Sequence, residues 1–250
     1  MTQPVTVLIS SRNRPIYLWA CLDALYRYTP FPHKFVLVDM ASDDPLVEGV
    51  LQGFERREMF SQVIRAPRND AGIIFSYIQQ NLESWAPYFA YIEADVVVED
   101  ATPCWLEQMA TLMDQRPKLA MLGSAIDRRD FIDTGFARRL RTPEMGKRWR
   151  TLLKANSVER KQDVADANGA PVYRPHGPPG RLLMLRTATV RQVGLAADAE
   201  FDRRLIEAGY ETGIATGVRH RHLSLLHLYD YPDYDTLARD AYMARTRPSE

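Results

Sequence analysis

The stretch Tyr88-Phe89-Ala90-Tyr91-Ile92-Glu93-Ala94-Asp95 decides the predicted fold, because it joins a short apolar strand to two carboxylates. Residues 88–92 have the length and composition of a buried strand. Positions i and i+2 of extended backbone point to the same side, so Glu93 and Asp95 are predicted to share one side. Two acids this close repel each other unless a cation lies between them, and oxygen ligands of this kind suit Mg²⁺ or Mn²⁺. Taken alone, the pair fits two solvated acids equally well.

Strands and helices alternate around this segment throughout the first half of the chain. Strands are predicted at 5–9, 35–38, 63–64, 88–92 and 119–122, and helices begin near Pro15, Pro45, Ala71 and Pro103. Trp19, Leu22, Leu25 and Tyr26 are predicted to form one apolar helix face. Strands separated by helices of this length are typical of right-handed βαβ units. We therefore predict an α/β fold with a mostly parallel central sheet and helices on both faces.

The alternation stops between residues 127 and 180, where the chain is polar and rich in arginine. Residues 138–154 carry seven basic residues and one acid. This segment is either a solvated face or loop, or an insertion that binds anionic groups. Further elements are predicted afterwards, namely a strand at 182–185, a helix at 199–208, short strands at 211–215 and 218–222, and a last helix at 236–245. We predict one domain over 1–250, with a first half (1–125), a second half (126–225) containing the insertion 127–180, and a tail (226–250).

Composition narrows the class of protein. Of 250 residues, 46% are hydrophobic and 26% charged, which is ordinary for a soluble globular chain. The formal net charge is zero, so no global field attracts nucleic acid. Cys21 and Cys104 lie in apolar helical patterns, which indicates reduced thiols and a cytoplasmic protein. No signal peptide and no membrane-spanning segment is predicted, and contact with a membrane surface stays open.

Polar residues follow four successive predicted strands. In an open parallel sheet the ligand crevice lies beyond the carboxyl ends of the strands. The candidates there are Ser10 and Arg12, then Asp39, then Arg65 and Asn69, and finally Glu93 to Asp95. Hydroxyl and guanidinium groups suit anions, and Asp39 can accept hydrogen bonds from a nucleobase or a ribose. Turns use the same residue types, so only the agreement of the four ends predicts a phosphate site.

Several of these segments, in this order, resemble GT-A glycosyltransferases of the inverting family 2 type. The matching segments are 5–15, 37–39 with Ser42 and Asp43, 69–72, 93–95 and 198–210. The last is similar to that family's "E-D-x-E-F-x-x-R-L-x-x-A-G-Y" segment. The resemblance implies a GT-A fold and a nucleotide-diphospho-sugar donor, with a nucleotide-sugar-binding half (1–125) and an acceptor-binding half (126–225). It also implies that Asp39 meets the base, with Ser10, Arg12 and Arg65 nearby and Asn69 and Ala94 at the donor.

The resemblance implies catalytic roles as well. Residues 93–95 would form the family's D-x-D-like element, with the carboxylate of Asp95 on Mn²⁺ or Mg²⁺. Glu93 stands where Asp is more usual, which leaves open whether it meets the metal, the ribose or neither. Asp198 would be the base that takes the proton of an acceptor hydroxyl, a role compatible with capping the following helix. His220 would contact the metal or the diphosphate, although a lone histidine is more often structural.

The function that this resemblance implies is inverting sugar transfer to a hydroxyl of a glycan, a lipid-linked intermediate or a small molecule, in glycan or glycoconjugate assembly. The first alternative, a sugar-phosphate nucleotidyltransferase, would need a glycine-rich loop after the first strand, and residues 10–15 contain no glycine. The second alternative is a non-catalytic module that binds an anionic partner through the insertion 127–180. The absence of G-x-G-x-x-G and G-x-x-x-x-G-K-[ST] disfavours a dinucleotide-binding or P-loop protein. Oligomeric state stays open.

Overall fold

The computed structural model describes residues 3–127, 169–175 and 177–223. The strands in these residues are β1 (Val5–Ser11), β2 (His33–Asp39), β3 (Phe60–Arg65), β4 (Tyr88–Glu93), β5 (Val96–Val98), β6 (Leu119–Ile126), β7 (Val172–Tyr173), β8 (Leu182–Arg186) and β9 (Glu211–His222). The helices are α1 (Pro15–Tyr28), α2 (Pro45–Glu55), α3 (Ala71–Asn81), α4 (Trp105–Gln115), α5 (Thr187–Val193) and α6 (Asp198–Glu207). The basic segment 138–154 and the predicted helix 236–245 lie outside the described residues.

All of these strands belong to one sheet, in the order β3-β2-β1-β4-β8-β6-β9-β5, with β7 beside β9. Pairing is parallel from β3 through β2 and β1 to β4, and again between β6 and β9. By contrast, β8 runs antiparallel to both neighbours, and β5 and β7 run antiparallel to β9. The predicted α/β class with a central sheet is confirmed. The parallel pairing that the prediction emphasised is concentrated in the first four strands.

Helices cover both faces of the sheet, as predicted. Successive residues of β1 point to opposite faces, so Val7 and Ile9 join one core cluster and Leu8 joins the other. The first cluster includes residues of α1, α2 and α4 such as Leu22, Leu51, Trp105 and Met109. The second includes residues of α3, α5 and α6 such as Ile74, Ile78, Val190 and Phe201. The sheet is therefore buried on both sides, which leaves its strand ends as places for a site.

The first helices begin where the sequence places them. Pro15 and Pro45 begin α1 and α2, and α3 begins at Ala71. The side chain of Asp44 caps α2 by accepting from the backbone N–H of Leu46 at 3.0 Å. The helix after Pro103 begins two residues later than predicted, at Trp105.

The predicted apolar face of α1 is only partly right. Leu22 and Leu25 are fully buried, whereas Trp19 is 54% exposed and Tyr26 is 49% exposed. The reason is that α1 packs on the sheet through Leu18, Leu22 and Leu25, at spacings of four and three residues. Trp19 and Tyr26 lie beside that stripe rather than on it.

The second half of the chain departs more from prediction. The two short strands predicted at 211–215 and 218–222 form one strand, β9, whose pairing with β6 shifts between Ser124 and Ala125. A bulge of this kind interrupts the apolar pattern without ending the strand. Strands β5 and β7 and helix α5 were not predicted. Cys21 and Cys104 are free and buried, as expected. Within the described ranges, no helix combines the length and apolarity that crossing a bilayer requires.

Candidate active site

A cleft of about 470 Å³ opens beyond the carboxyl ends of β1 and β4. Its lining residues are Ser10, Ser11, Arg12, Asn13, Arg14, Tyr17, Met40, Asn69, Tyr91, Glu93, Ala94, Asp95 and Arg181. Six residues predicted from the strand ends are therefore brought together here, namely Ser10, Arg12, Asn69, Glu93, Ala94 and Asp95. Parallel pairing explains the convergence, because β1 and β4 are neighbours and end at the same edge.

The loop after β1 is held in place by Asn13. Its backbone N–H donates to Ser42 Oγ at 2.7 Å, and its side-chain amide donates to Asp43 Oδ1 at 2.9 Å. Its side-chain oxygen accepts from the backbone N–H of Asp43, also at 2.9 Å. Asn13 and Arg14 both have positive φ values, 52° and 56°, which non-glycine residues adopt rarely. These bonds fix the loop to the segment after β2 and direct its polar groups to the cleft.

Asp39 lies at the end of β2 and is 7% exposed. Its carboxylate accepts from the backbone N–H of Ser42 at 3.1 Å and from the hydroxyls of Ser42 and Ser11. It does not line the cleft, whereas the next residue, Met40, does. Asp39 thus fixes the loop that borders the cleft, and its predicted contact with a base stays a prediction.

Arg65, which was predicted to lie near the donor, pairs with two acids of α2. Its guanidinium bonds to Glu48 at 2.9 Å and lies 3.7 Å from Glu55. Arg65 is not among the residues that line the cleft. Its predicted contact with the donor stays a prediction.

Glu93 and Asp95 share a guanidinium instead of standing alone. Arg181 Nη1 contacts Glu93 Oε2 and lies 3.3 Å from Asp95 Oδ2. The side chain of Asp95 is 5% exposed, and Arg14 Nη1 lies 3.7 Å from the same Oδ2 atom. Burial raises the pKa of Glu93, Arg181 opposes that rise, and the charge of Asp95 adds to it. Two adjacent acids are thus held together by arginine.

Of the two histidines on β9, His222 is the one beside Asp95. Because Val96 pairs with His222, the Nδ1 atom of His222 lies 3.7 Å from Asp95 Oδ1. His220 is fully buried, and its Nδ1 lies 2.6 Å from Ser124 Oγ. Burial and the charges of His222 and Arg181 lower the pKa of His220 to about 3, so its imidazole is neutral. His222 is thus the histidine placed beside Asp95, while the predicted contact of His220 with the metal or the diphosphate stays a prediction.

Asp198 is the first residue of α6 and is exposed. The N-cap is Ala197 and makes no side-chain cap bond, so the capping role considered for Asp198 is not observed. Burial raises the pKa of Tyr91 to about 12, and the negative charges of Glu93 and then Asp198 contribute to this rise. Repulsion from Asp198 also contributes to the raised pKa of Glu93. Asp198 therefore lies within electrostatic reach of the cleft wall, although it is not among the residues that line the cleft.

A known protein family matches more than half of the chain. Residues 6–170 match the family model described as glycosyl transferase family 2.

The chain belongs to glycosyl transferase family 2.

Solved glycosyltransferases share its fold. GalNAc-T7 with UDP, GalNAc and Mn²⁺ has a TM-score of 0.61 and 14% identity, covering 88% of this chain and 44% of its own. Mannosyltransferase PcManGT from Pyrobaculum calidifontis, with GDP-Man and Mn²⁺, has a TM-score of 0.59 and 15% identity, covering 88% and 57% respectively. Thus this chain spans about half the length of those two proteins. At such identities the likeness concerns the GT-A fold. No curated protein sequence matches the chain.

The donor atoms beside Asp95 fit the divalent cation that this glycosyltransferase family implies. Asp95 Oδ1 is buried and accepts no hydrogen bond from the residues that the structure describes, and the imidazole of His222 lies beside it. A carboxylate oxygen with an imidazole nitrogen suits Mn²⁺, while a carboxylate with phosphate oxygens suits Mg²⁺. Among residues 3–127, 169–175 and 177–223, no group of three protein ligands is assembled. The remaining ligands would have to be substrate phosphates and water.

Sequence reasoning missed the residues that reach the glycosyltransferase cleft from the second half of the chain. Arg181 precedes β8 and reaches Glu93 only through the pairing of Ile92 with Leu182. No motif marks it. His222 shares a side of β9 with His220, and the sequence analysis favoured His220. Arg204 pairs with Glu200 one turn away at 2.7 Å, which is a structural contact.

Proposed function

We propose that this glycosyltransferase moves a sugar, with inversion, from a nucleotide-diphospho-sugar to a hydroxyl of an acceptor. The observation that carries the proposal is the convergence of Ser10, Arg12 and Asn69 with the Glu93–Asp95 segment in one cleft. Anion-binding groups beside buried carboxylates suit a diphosphate and its counter-ion. A nucleotidyltransferase would use a glycine-rich loop after β1, and residues 10–15 offer none.

The donor would lie along the ends of β1 and β4. Arg12, Arg14 and Arg181 line the cleft and supply guanidinium groups for the diphosphate. Ser10, Asn69 and Ala94 would border the nucleotide and the sugar. Asp39 would act from the β2 loop, where it orients Ser11 and Ser42. GalNAc-T7 is in complex with UDP and PcManGT with GDP-Man, so UDP-sugars and GDP-sugars are the first donors to test.

Asp95 and His222 would hold Mn²⁺ or Mg²⁺. The bound ion would neutralise charge that develops on the leaving diphosphate. Burial of Asp95 strengthens this assignment, because a buried carboxylate oxygen without a hydrogen bond is costly unless a cation compensates it. Glu93 is more exposed and already bonded to Arg181, so it is assigned to the edge of the donor site.

Asp198 would be the general base. Its carboxylate would take the proton of the acceptor hydroxyl while that oxygen attacks the anomeric carbon opposite the diphosphate, which inverts the configuration. Its exposed position at the start of α6 leaves it open to an acceptor, and its charge is felt at Glu93 and Tyr91. The N-terminus of α6 favours a negative charge at this point.

The acceptor would be a glycan, a lipid-linked intermediate or a small molecule, in glycan or glycoconjugate biosynthesis. We propose a cytoplasmic setting, at the inner face of the membrane if the acceptor is lipid-linked. This placement rests on analogy within the family.

A first experiment measures thermal stability with UDP or GDP, each with and without Mn²⁺. We expect one of them to raise the melting temperature in the presence of Mn²⁺, because a ligand at about 100 times its Kd adds about 2.7 kcal/mol to the free energy of unfolding. If no nucleoside diphosphate stabilises the protein under any metal condition, the enzyme proposal is wrong. A non-catalytic binding module would then be favoured.

A second experiment tests the base with Asp198→Asn. We expect the nucleotide to bind as before and release of nucleoside diphosphate from the sugar donor, with hydroxyl acceptors present, to fall by about 10²–10⁴-fold. Glu207→Gln, at the other end of α6, removes an exposed carboxylate as a matched control and should turn over normally. Normal turnover in Asp198→Asn would remove Asp198 from the base role.

A further inference from the structure

Arg181 occupies the space between the two carboxylates of the Glu93–Asp95 segment. Its backbone is fixed there, because the N–H of Glu93 donates to the carbonyl of Arg181 at 3.2 Å and Leu182 pairs with Ile92. Its Nη1 contacts Glu93 and lies 3.3 Å from Asp95 Oδ2. The side chain is 44% exposed and lines the cleft. A cation is thus already present where two neighbouring acids need one.

A guanidinium can neutralise these acids but cannot act as a metal ligand, because it has donors and no lone pair to offer. A divalent ion on Asp95 would stand close to the positive charge of Arg181. At separations of a few ångströms this repulsion is several times larger near a protein surface than in bulk water. Arg181 and a divalent ion therefore oppose each other at Asp95.

We propose that Arg181 is the built-in counter-ion of Glu93 and Asp95, competes with the divalent cation for them, and transfers to the donor diphosphate when that cation binds. The proposal deepens the proposed function and rests on it. Phosphate oxygens accept the paired N–H groups of a guanidinium, and the exposed part of Arg181 can turn from Asp95 into the cleft that it lines. Cation and nucleotide then bind cooperatively, and each raises the affinity of the other by the same factor.

The proposal also gives Glu93 a role. The glutamate side chain is half-buried and contacts Arg181, whereas Asp95 is buried beside His222. Glu93 would retain Arg181 near the cleft after it leaves Asp95, so that the arginine moves a short distance and is not lost to solvent. The residue that stands in place of the more usual Asp is then a partner of the arginine rather than a metal ligand.

The test is titration of the full chain with Mn²⁺ alone, in the absence of nucleotide, followed by the electron paramagnetic resonance signal of free Mn²⁺. Removing the charge in Arg181→Gln should tighten Mn²⁺ binding by about tenfold or more. The factor by which UDP or GDP then improves Mn²⁺ affinity should shrink, because the coupling runs through Arg181. Mn²⁺ affinity that is unchanged or weaker in Arg181→Gln overturns the proposal.

Two variants make the result specific. Arg116→Gln breaks another exposed arginine pair, 3.2 Å from Glu211 at the amino ends of β6 and β9, and should leave Mn²⁺ affinity unchanged. Arg181→Lys keeps the charge and should bind Mn²⁺ nearly as weakly as the parent chain. If Arg116→Gln tightens Mn²⁺ binding as much as Arg181→Gln does, net charge explains the effect and the proposal is wrong.

Asp95→Asn separates this proposal from the proposed function. We expect it to remove Mn²⁺ binding in both the parent and the Arg181→Gln chains. If Asp95→Asn abolishes binding while Arg181→Gln has no effect, the metal assignment stands and only the counter-ion role fails. If Asp95→Asn binds Mn²⁺ like the parent, the metal assignment itself is wrong and the counter-ion role fails with it.

Discussion

The parallel half of the sheet, β1 to β4, and the mixed half, β5 to β9, reach the cleft in different ways. In the parallel half each strand runs towards the cleft, so the residues that follow β1 and β4 line it. In the mixed half the chain direction alternates, and Arg181 reaches the cleft from the start of β8. The residues at strand ends therefore predict a site only where the strands run in parallel. The other residues that reach the cleft depend on the register of strand pairing.

Buried aspartates have different tasks in the two halves, as Asp39 and Asp202 show. Asp39 holds the loop that borders the cleft, through Ser42 and Ser11. Asp202 of α6 is 8% exposed, accepts from Thr212 Oγ1 at 2.5 Å and lies 3.4 Å from Arg174 Nη2. The bonds of Asp39 shape the loop that borders the cleft, and the bonds of Asp202 fix the helix that begins with Asp198 to β9.

The largest effect is expected where the two halves meet, at Asp95. Asp95→Ala should weaken Mn²⁺-dependent binding of UDP or GDP by about 100-fold or more, because it removes the carboxylate that we propose as a ligand of the ion beside His222. Calorimetric titration of nucleotide with and without Mn²⁺ measures it. Asp100→Ala, an exposed acid nearby, should bind normally. Unchanged nucleotide affinity in Asp95→Ala would mean that the halves do not share a metal site.

A smaller effect is expected from Asp39 and Asp202. Asp39→Asn and Asp202→Asn should each lower the free energy of unfolding by about 2–3 kcal/mol, because each weakens a charged hydrogen-bond set. Urea unfolding measures this. Only Asp39→Asn should also weaken nucleotide binding, since the loop it holds borders the cleft. Equal loss of nucleotide affinity in Asp202→Asn would contradict the division of tasks.

The smallest effect is expected from two glycines in the mixed half. A Cβ at Gly123 would lie 2.6 Å from Pro179 Cβ, and one at Gly213 would lie 2.5 Å from Val172 Cγ1. Gly123→Ala and Gly213→Ala should each lower the free energy of unfolding by about 1–2 kcal/mol through overpacking. Thermal unfolding with and without nucleotide distinguishes the two variants. In Gly123→Ala the nucleotide should also raise the melting temperature less, because Pro179 lies two residues before Arg181. If the nucleotide effect falls equally in Gly213→Ala, this link between Gly123 and the cleft is wrong.

Much of the parallel half could be predicted from the sequence, because local signals agree there with tertiary packing. Pro15 and Pro45 mark helix starts, and Asp44 and Asp70 cap their helices. In the mixed half the signals are short. Strand β5 has three residues, and α5 has seven, four of them the β-branched types Thr and Val, which do not favour helices. Tertiary pairing decides these elements, and periodicity cannot show it.

The site residues, like the strands and helices, could be predicted where local signals agree with tertiary packing. Ser10, Arg12 and Asn69 were predicted because each follows a parallel strand or its loop. Arg65 follows one too, but an ion pair with Glu48 on α2 holds it away, and no local pattern reveals such a pair. The choice between His220 and His222 depends on the register of β5 with β9, which pairs Val96 with His222. Roles in catalysis stay predictions for the experiments above.

Insertion of β8 between β4 and β6 has a consequence for biosynthesis. The ribosome releases β4 and β6 long before residues 182–186, so both strands keep an open edge while residues 127–181, between β6 and β8, are still being added. Exposed strand edges invite association with other chains. Nascent chains should therefore depend on chaperones until β8 emerges, and truncation before residue 186 should yield aggregates rather than a smaller folded protein.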